Sequence, residues 1–425
     1  MNHELNGEVG KILKQLKAKE NEITRLCSEL IRIPSENPPG VTTELASYIR
    51  NLLQDKGISV SVYEPEKGKP NLIASIGCEE HPHLVLNAHM DEFPAGEVGW
   101  DAFGGKIIDG NIVGRGASDM KGGLTASLVA FYTLHECFEN LPGRITLTLV
   151  SDEETGGIWG TKWLLDNVPD LAGDACVIGE ATGVDVVAIG EKGACRLKVK
   201  TTGTSFHAAH GKGENAIEKM ASVIPLMLKL RSLRGNFEAY GQDFLRLLKR
   251  EEELLKGEYP NPERILEYAV VNLGTIKGGI KVNVVPAACD LELDVRPPFG
   301  ISSEDVVRKL ALELEKAGLR GVTYEPMFGS AGTYTPASEQ IVETAVSSVR
   351  RVTGREANVF PIRIGGTDAR YYRLKKVPTV IYGPKSYNMG GVDEHITVSD
   401  LTTVTKVHAI LALEFVIGRA VKFKG

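Results

Sequence analysis

The chain has 425 residues, of which 42% are hydrophobic and 6% aromatic, and its formal net charge is −6. This length predicts two or three domains, and mild acidity without a basic stripe argues against a nucleic-acid partner. No N-terminal apolar stretch resembles a signal peptide, and no apolar run approaches the roughly 20 residues that span a bilayer. We therefore expect a cytoplasmic protein with no membrane partner. The cysteines show no Cys-x-x-Cys spacing, which predicts reduced, buried thiols.

Strand-like and helix-like segments alternate from the start to about residue 190, which is typical of an α/β sheet flanked by helices. From Lys192 the order changes to strand, helix, two strands and helix, which predicts a smaller α+β domain inserted into the first. Its predicted elements are a strand at Cys195–Thr201, a helix at Glu214–Leu233, strands at Tyr268–Ile276 and Ala288–Val295, and a helix at Ser303–Lys316. The predicted domains are thus 1–190 with 319–425 for the larger domain and 191–318 for the insertion. Segment 246–267, dense in charges and containing prolines, predicts an exposed helical excursion.

Polar side chains follow the apolar, strand-like segments of the first domain. His89 and Asp91 end the first such segment, and Glu153, Glu154 and Glu180 follow later ones. Ligands collect at the carboxyl ends of strands in α/β sheets, so we expect these residues to converge. An imidazole with carboxylates and no thiolate suits Zn²⁺, Mn²⁺ or Co²⁺. Isolated acids at strand ends are mostly solvated, but this combination predicts a hydrolytic metal site.

Asp119 lies in the glycine-rich stretch Gly114–Gly123, directly before the helix-like run 124–134. The glycines allow close approach of the backbone to metal ions. They could instead cradle a phosphate, but their spacing is not that of a Walker motif. A carboxylate-rich set suggests two metal ions about 3.5–4 Å apart, which need a bridging carboxylate. Asp119 is the natural bridge.

The adjacent acids Glu153 and Glu154 point in different directions if their segment is extended, so one can hold a metal while the other faces the reacting water. A carboxylate in that position takes a proton from water and later delivers it to the leaving amine. Asp91, two residues after His89, is placed to accept the second ring N–H of that histidine and fix its tautomer.

These features, together with Ile33–Gly40 near the start, resemble the co-catalytic zinc amidohydrolases, and the resemblance spans nearly the whole chain. That family includes acetylornithine deacetylase, succinyl-diaminopimelate desuccinylase, aminoacylase and bacterial glutamate carboxypeptidase. The resemblance implies two divalent metal ions, zinc with cobalt or manganese as alternatives. His89 and Glu180 would hold one ion, Asp119 would bridge, Glu154 would hold the second, and Glu153 would be the base. Asp91 would hold the ring of His89 in place without binding a metal itself.

The resemblance also implies a cis peptide between Asp119 and Met120, and it makes the inserted domain a lid and dimerisation domain of a homodimer. His207, within Gly203–His210, resembles a histidine that reaches the active site of the neighbouring subunit and stabilises the oxyanion of the tetrahedral intermediate. The alternatives are that His207 is a surface loop histidine or that His210 shares the role.

Four further residues lie in segments that resemble substrate-binding parts of the family. Asn283 and Arg296 belong to segments that resemble the lid segments by which the family binds the substrate carboxylate, and a guanidinium pairs bidentately with such a group. Arg296 could instead be an ordinary salt-bridge partner. Gly366 and Thr367 belong to Gly365–Arg370, which resembles a substrate-facing loop.

One departure concerns the second metal. The family's second histidine ligand normally lies four residues before a glutamate near the C-terminus, and at that offset from Glu394 this chain has Gly390. His395 could substitute through a shifted loop. Otherwise the second site is weak, completed by Asp393, Asn388 or water, or left empty.

The sequence therefore predicts a metallohydrolase that cleaves the amide bond of an N-acyl amino acid or small peptide with metal-activated water and Glu153 as base. Hydrolysis of ureido or carbamoyl amides on the same scaffold is an alternative. Gly390 motivates another, a binding protein that has lost its second metal, although retention of Glu153 argues against it. His408, in the apolar run Leu401–Ile417, is predicted to be a packed residue.

Overall fold

The computed structural model describes residues 2–77, 81–96 and 99–423. Its helices are α1 Asn2–Ala18, α2 Glu20–Ile31, α3 Thr43–Asp55, α4 Gly122–Cys137, α5 Thr161–Asn167, α6 Ala216–Leu228, α7 Gly241–Leu255, α8 Pro262–Leu266, α9 Ser303–Ala317, α10 Gln340–Thr353, α11 Ala369–Leu374 and α12 Val398–Phe423. Its strands are β1 Val60–Tyr63, β2 Asn71–Ile76, β3 His83–His89, β4 Lys106–Ile108, β5 Asn111–Val113, β6 Arg144–Val150, β7 Ala175–Ile178, β8 Val186–Ala188, β9 Gly190–Glu191, β10 Ala194–Thr202, β11 Val270–Gly278, β12 Ala288–Arg296, β13 Val322–Ser330, β14 Thr333–Tyr334, β15 Asn358–Phe360, β16 Thr379–Ile381 and β17 His395–Thr397.

The chain forms two units. The first contains Met1–Ile189, Thr335–Phe360 and Thr367–Gly425, and the second contains Gly190–Tyr334 and Pro361–Gly366. The structure corrects the predicted return to the first unit at residue 319. β13 pairs antiparallel with β10 along its length, so it completes the second unit's sheet. This pairing joins strands that are far apart in sequence, which local patterning does not reveal.

The main sheet of the first unit has the strand order β1-β2-β6-β3-β7-β16-β8-β15. β3 is parallel to both neighbours, β6 and β7, and all its residues are buried. A strand buried on both faces is typical of a parallel sheet covered by helices. α4 and α12 both pack against β3, so the sheet supplies a rigid base for the loops that leave its strands.

The C-terminal helix α12 is longer and more apolar than the sequence analysis recognised. By length and composition Val398–Gly418 could cross a membrane, but 72% of its most apolar window is buried inside the protein. It packs against α4 and α10, and its His408 is fully buried, as predicted. The helix therefore fits the role of a core element of the first unit.

The second unit is built on the antiparallel sheet β11-β12-β10-β13. β12 alternates between buried and partly exposed residues, which is the pattern of a sheet with one face packed and the other solvated. The buried face contacts α6 and α9. The predicted helical excursion is present as α7, whose Phe244 and Leu248 join a buried aromatic cluster with Phe299.

Five cysteines, Cys27, Cys137, Cys176, Cys195 and Cys289, are free and buried, as predicted. Burial raises the pKa of Cys27 to about 12, so this thiol stays protonated and unreactive. Cys78 lies outside the described residues.

Candidate metal centre

Three neighbouring parallel strands of the first unit deliver the predicted polar residues to one edge of the sheet. β3 ends at His89 and is hydrogen-bonded to β6 on one side and β7 on the other. Glu153 and Glu154 follow β6, and Glu180 follows β7. The carboxyl ends of parallel strands meet at one edge, and this brings together residues that are far apart in sequence.

His89 is the centre of the cluster and is 1% exposed. Its Nε2 lies 3.1 Å from Oδ1 of Asp119 and 3.4 Å from Oε1 of Glu180. Two groups of possible metal ligands share this histidine, one with Asp119 and Glu154 and one with Glu153 and Glu180, and within each group the ligand atoms lie within 4.8 Å of one another. The structure thus assembles the predicted base with every predicted ligand except His395.

Asp119 enters the cluster from the glycine-rich loop before α4. The cis peptide expected between Asp119 and Met120 is present. Glycine is required at the start of α4, because a Cβ on Gly123 would lie 1.6 Å from the backbone oxygen of Gly179, the residue before Glu180. Gly123 therefore lets the Asp119 loop pack directly against the segment that carries Glu180. The close approach of the backbone to metal ions, which the sequence analysis expected of these glycines, stays a prediction.

Asp91 makes more contacts than the sequence predicted. Nδ1 of His89 bonds to the backbone oxygen of Asp91 at 2.8 Å, whereas the Asp91 carboxylate lies 3.5 Å away. That carboxylate accepts the backbone N–H groups of Glu153 and Glu154, both at 3.1 Å, and the side-chain amide of Asn37 at 2.8 Å. Asp91 therefore ties the histidine to the turn that carries both glutamates.

The cluster concentrates buried negative charge around one imidazole. Burial, followed by repulsion from the Asp119 carboxylate, raises the pKa of Glu154. Burial lowers the pKa of His89, but hydrogen bonds to neighbouring carboxylates, Asp119 first, outweigh burial and raise that pKa overall. Oε1 of Glu154 is buried and has no hydrogen-bond partner among the described residues. Nitrogen and oxygen donors with an unsatisfied buried carboxylate oxygen fit a divalent cation such as Zn²⁺.

His395, predicted as a substitute ligand, is held elsewhere by its own contacts. Its ring stacks on Tyr387 with a centroid distance of 4.9 Å, and its Nδ1 bonds to the backbone oxygen of Asp393 at 2.8 Å. In the described part of the chain, His395 belongs to neither ligand group. The role of His395 as a metal ligand therefore stays a prediction.

Glu394 anchors the loop that carries Asp119. It is fully buried, and it accepts the backbone N–H and the hydroxyl of Ser118 at 3.0 and 2.9 Å. Its other oxygen pairs with Nη1 of Arg115 at 2.6 Å. Gly390, where the resembling family has a histidine, has φ of +70°, a conformation that L side chains rarely adopt. A side chain at position 390 would therefore be strained in this backbone.

The second unit brings the predicted residues His207 and Asn283 together on two exposed loops. The N–H of Ala208 donates to the backbone oxygen of Asn283 at 3.0 Å. Nδ1 of His207 accepts the N–H of Ala209 at 3.3 Å, and its ring packs edge-on against His210 at a centroid distance of 5.7 Å. Both histidine side chains are exposed.

The other residues predicted to bind substrate are Arg296, Gly366 and Thr367, and they differ in their contacts and exposure. Nε of Arg296 donates to Asp294 at 2.7 Å, which is the salt bridge that the sequence analysis kept as an alternative. Thr367 is buried, and its hydroxyl oxygen accepts the N–H of Ala369 at the start of α11. Gly366 is partly exposed.

Two buried cations beside the cluster were missed by the sequence analysis. Lys121 is fully buried and pairs with Glu92 at 2.7 Å. Nη1 of Arg370 lies 3.5 Å from Oε1 of Glu153. The sequence carries a signal for both, because Lys121 lies two residues after Asp119 and Arg370 lies two residues after Asp368. Both pairs belong to glycine-containing motifs described in the sequence analysis.

Similarity to known proteins identifies the family of this chain. A family model described as peptidase family M20/M25/M40 matches residues 85–414. The chain belongs to this family. It is 28% identical over 402 residues to succinyl-diaminopimelate desuccinylase of Gluconacetobacter diazotrophicus, covering 90% of this chain and 94% of the relative. It is also 28% identical over 339 residues to acetylornithine deacetylase of Aliivibrio salmonicida, covering 78% and 81%.

A solved structure carries the same fold. The M20 family metallo-carboxypeptidase from Sulfolobus solfataricus superposes with a TM-score of 0.79 at 22% identity, covering 93% of this chain and 99% of that one. The predicted family and the α/β fold class are thereby confirmed. The M20 protein described here is a metal-dependent hydrolase of amide or peptide bonds, as predicted.

Proposed function

We propose that this M20 hydrolase cleaves the amide bond of an N-acyl amino acid or small peptide. The observation that carries the proposal is the pair of ligand groups that share His89, with Glu153 inside one of them. The names of the two curated relatives describe removal of a succinyl or an acetyl group from an amino acid, which supports this substrate class.

In this proposal His89, Asp119, Glu154 and Glu180 would hold two divalent metal ions, with Asp119 as the ligand shared by both. Zinc suits the donor set best, and cobalt or manganese would also bind. When bound, the metals polarise the scissile carbonyl and lower the pKa of water. His89 is the one histidine in the two ligand groups of the described residues, so we infer that the second metal would be held less tightly than the first.

Glu153 moves the proton. Its backbone N–H is fixed by Asp91, and its carboxylate lies in the group that includes His89 and Glu180. From there it takes a proton from the attacking water and passes it to the nitrogen of the leaving amine, as a general base and then a general acid. Asp91 fixes the position of His89 relative to the turn that carries Glu153 and Glu154.

The remaining contacts in this proposal come from Thr367 of the first unit and from residues of the second unit. His207 stabilises the oxyanion in the active site of a neighbouring subunit, while Asn283, Arg296, Gly366 and Thr367 bind the substrate. The proposed assembly is a cytoplasmic homodimer. In this assembly the partner subunit would cover Ile280 and Val282, which are close to Asn283 in sequence and are 90% and 100% exposed in the single chain.

Metal content and amine release test the proposal together. The protein is dialysed against Zn²⁺, Co²⁺ or Mn²⁺, the metal per chain is determined by elemental analysis, and a panel of N-succinyl and N-acetyl amino acids and dipeptides is assayed. We expect up to two metal ions per chain, one of them held less tightly, and release of free amine.

An N-carbamoyl amino acid in the same panel represents the competing ureido substrates. Preference for that compound would move the substrate class to carbamoyl amides while leaving the metal chemistry unchanged. No amine release from any compound at full metal loading would contradict the proposed substrates.

A further inference from the structure

We propose that Arg370 is a positioning residue that holds the carboxylate of Glu153 in place for proton transfer. The inference rests on the proposed function, because it gives Arg370 this task only if Glu153 is the base. Arg370 is 6% exposed and lies in the first turn of α11, distant from Glu153 in sequence.

The guanidinium of Arg370 contacts both the side chain and the backbone of the turn that carries the base. Nη1 lies 3.5 Å from Oε1 of Glu153, and Nη2 donates to the backbone oxygen of Gly156 at 3.0 Å. A guanidinium is a rigid, planar fork, whereas a lysine offers one flexible point charge. Arg370 therefore fixes the base relative to the backbone of its own turn.

The neighbours of Arg370 on α11 reinforce this contact. The hydroxyl of Tyr371 donates to the same oxygen of Gly156, and the guanidinium stacks over the Tyr371 ring at 4.7 Å. A Cβ on Gly157, which has φ of +69°, would lie 2.5 Å from Oδ1 of Asp368. The turn and the start of α11 thus pack so closely that residue 157 has no room for a side chain.

A competing assignment is that Arg370 binds a carboxylate of the substrate. Its burial and its contact with Gly156 oppose this, because a guanidinium that binds substrate must present its donors to the open site. The assignments predict different kinetics. Loss of a positioning residue lowers kcat with little change in KM, whereas loss of a substrate-binding cation raises KM.

The first experiment compares Arg370→Met, Arg370→Lys and the matched control Arg373→Met under saturating Zn²⁺. Arg373 lies on the same helix, and its Nη2 donates to the backbone oxygen of Thr379 at 3.0 Å. We expect kcat to fall about 100-fold in Arg370→Met with KM within about threefold, and Arg370→Lys to recover about tenfold of the loss. Arg373→Met should keep kcat within about threefold.

A double-mutant cycle separates positioning from general stabilisation. If Arg370 acts through Glu153, adding Arg370→Met to Glu153→Gln leaves the residual kcat unchanged within about threefold. Multiplicative losses in the double mutant would overturn the assignment, and so would a rise in KM that accounts for the whole effect. If Arg370→Met does not fold, Arg370→Lys carries the same cycle.

Hydrogen exchange supplies a readout that needs no turnover. In the Zn²⁺-loaded protein, amides of residues 153–157 should exchange at least about tenfold faster in Arg370→Met than in the wild type or Arg373→Met. If these amides exchange at the wild-type rate in Arg370→Met, Arg370 does not hold the turn at residues 153–157, and the proposal is wrong. A wild type that cleaves no compound but shows the expected exchange would reject the proposed substrates while retaining the contact.

Discussion

The turn at residues 152–157 in the first unit and the loop at 203–213 in the second carry two parts of the proposed chemistry, and they are held very differently. Both glutamate N–H groups of the turn are bonded to Asp91, and its Gly156 oxygen is bonded to Arg370. In the loop, the exposed ring of His207 bonds only to a backbone N–H two residues away among the described contacts. Groups fixed before substrate arrives need no ordering during reaction. The turn is therefore preorganised, whereas in our proposal the ring of His207 is positioned only when substrate or a second subunit contacts it.

Removing the proposed base from the preorganised turn should have the largest effect on activity. In Glu153→Gln we expect kcat to fall about 10²–10⁴-fold, because an amide cannot accept the proton from water. The metal content should stay at the wild-type value, because the ligand residues are untouched. Steady-state kinetics with elemental analysis measures both, and full activity in this variant would show that another group is the base.

The adjacent residue tests whether the turn has two separate tasks. Glu154→Ala should lose the weaker metal ion on dialysis, because it removes the carboxylate whose Oε1 is buried without a hydrogen-bond partner in the described structure. The activity that remains should rise again as Zn²⁺ is added. An unchanged metal stoichiometry after dialysis would contradict the ligand assignment.

His207→Ala tests whether the exposed loop at residues 203–213 supplies the oxyanion donor. We expect kcat to fall about 10²–10³-fold through loss of an oxyanion donor. Metal content and the melting temperature should not change, because the side chain is exposed. His210→Ala is the matched control, since this ring lies on the same loop, and it should stay within about threefold of the wild type. The reverse result would assign the role to His210.

The buried His408 makes the stability of the fold depend on pH. Burial lowers the pKa of His408 from 6.5 to about 4 in the folded state. The unfolded chain therefore binds the extra proton first, and the free energy of unfolding falls as pH drops from 6.5 toward 4. The single-site loss approaches about 3 kcal/mol at the acid end.

Urea unfolding at several pH values between 4 and 7 measures this effect. His408→Gln should flatten the dependence across that window. Parallel curves for His408→Gln and the wild type would show that other groups cause the acid destabilisation.

Much of the metal centre was predictable because its signals are local. An apolar run that ends in His89 and Asp91 identifies a strand and its carboxyl end, and a glycine-rich stretch around Asp119 predicts close backbone approach. The family and the α/β fold followed from the same residues. β13 was assigned to the wrong unit because its evidence is pairing with the distant β10.

The sequence by itself determined the kinds of ligand, their order along the strands and the small residues that let them converge. Only the tertiary structure decided that Glu394 anchors the Asp119 loop, that stacking on Tyr387 holds His395 apart from the ligand groups, and that Arg370 faces Glu153. The physical reason is that a strand end is specified by neighbouring residues, whereas the partner of a buried charge is specified by packing between segments that are distant in the chain.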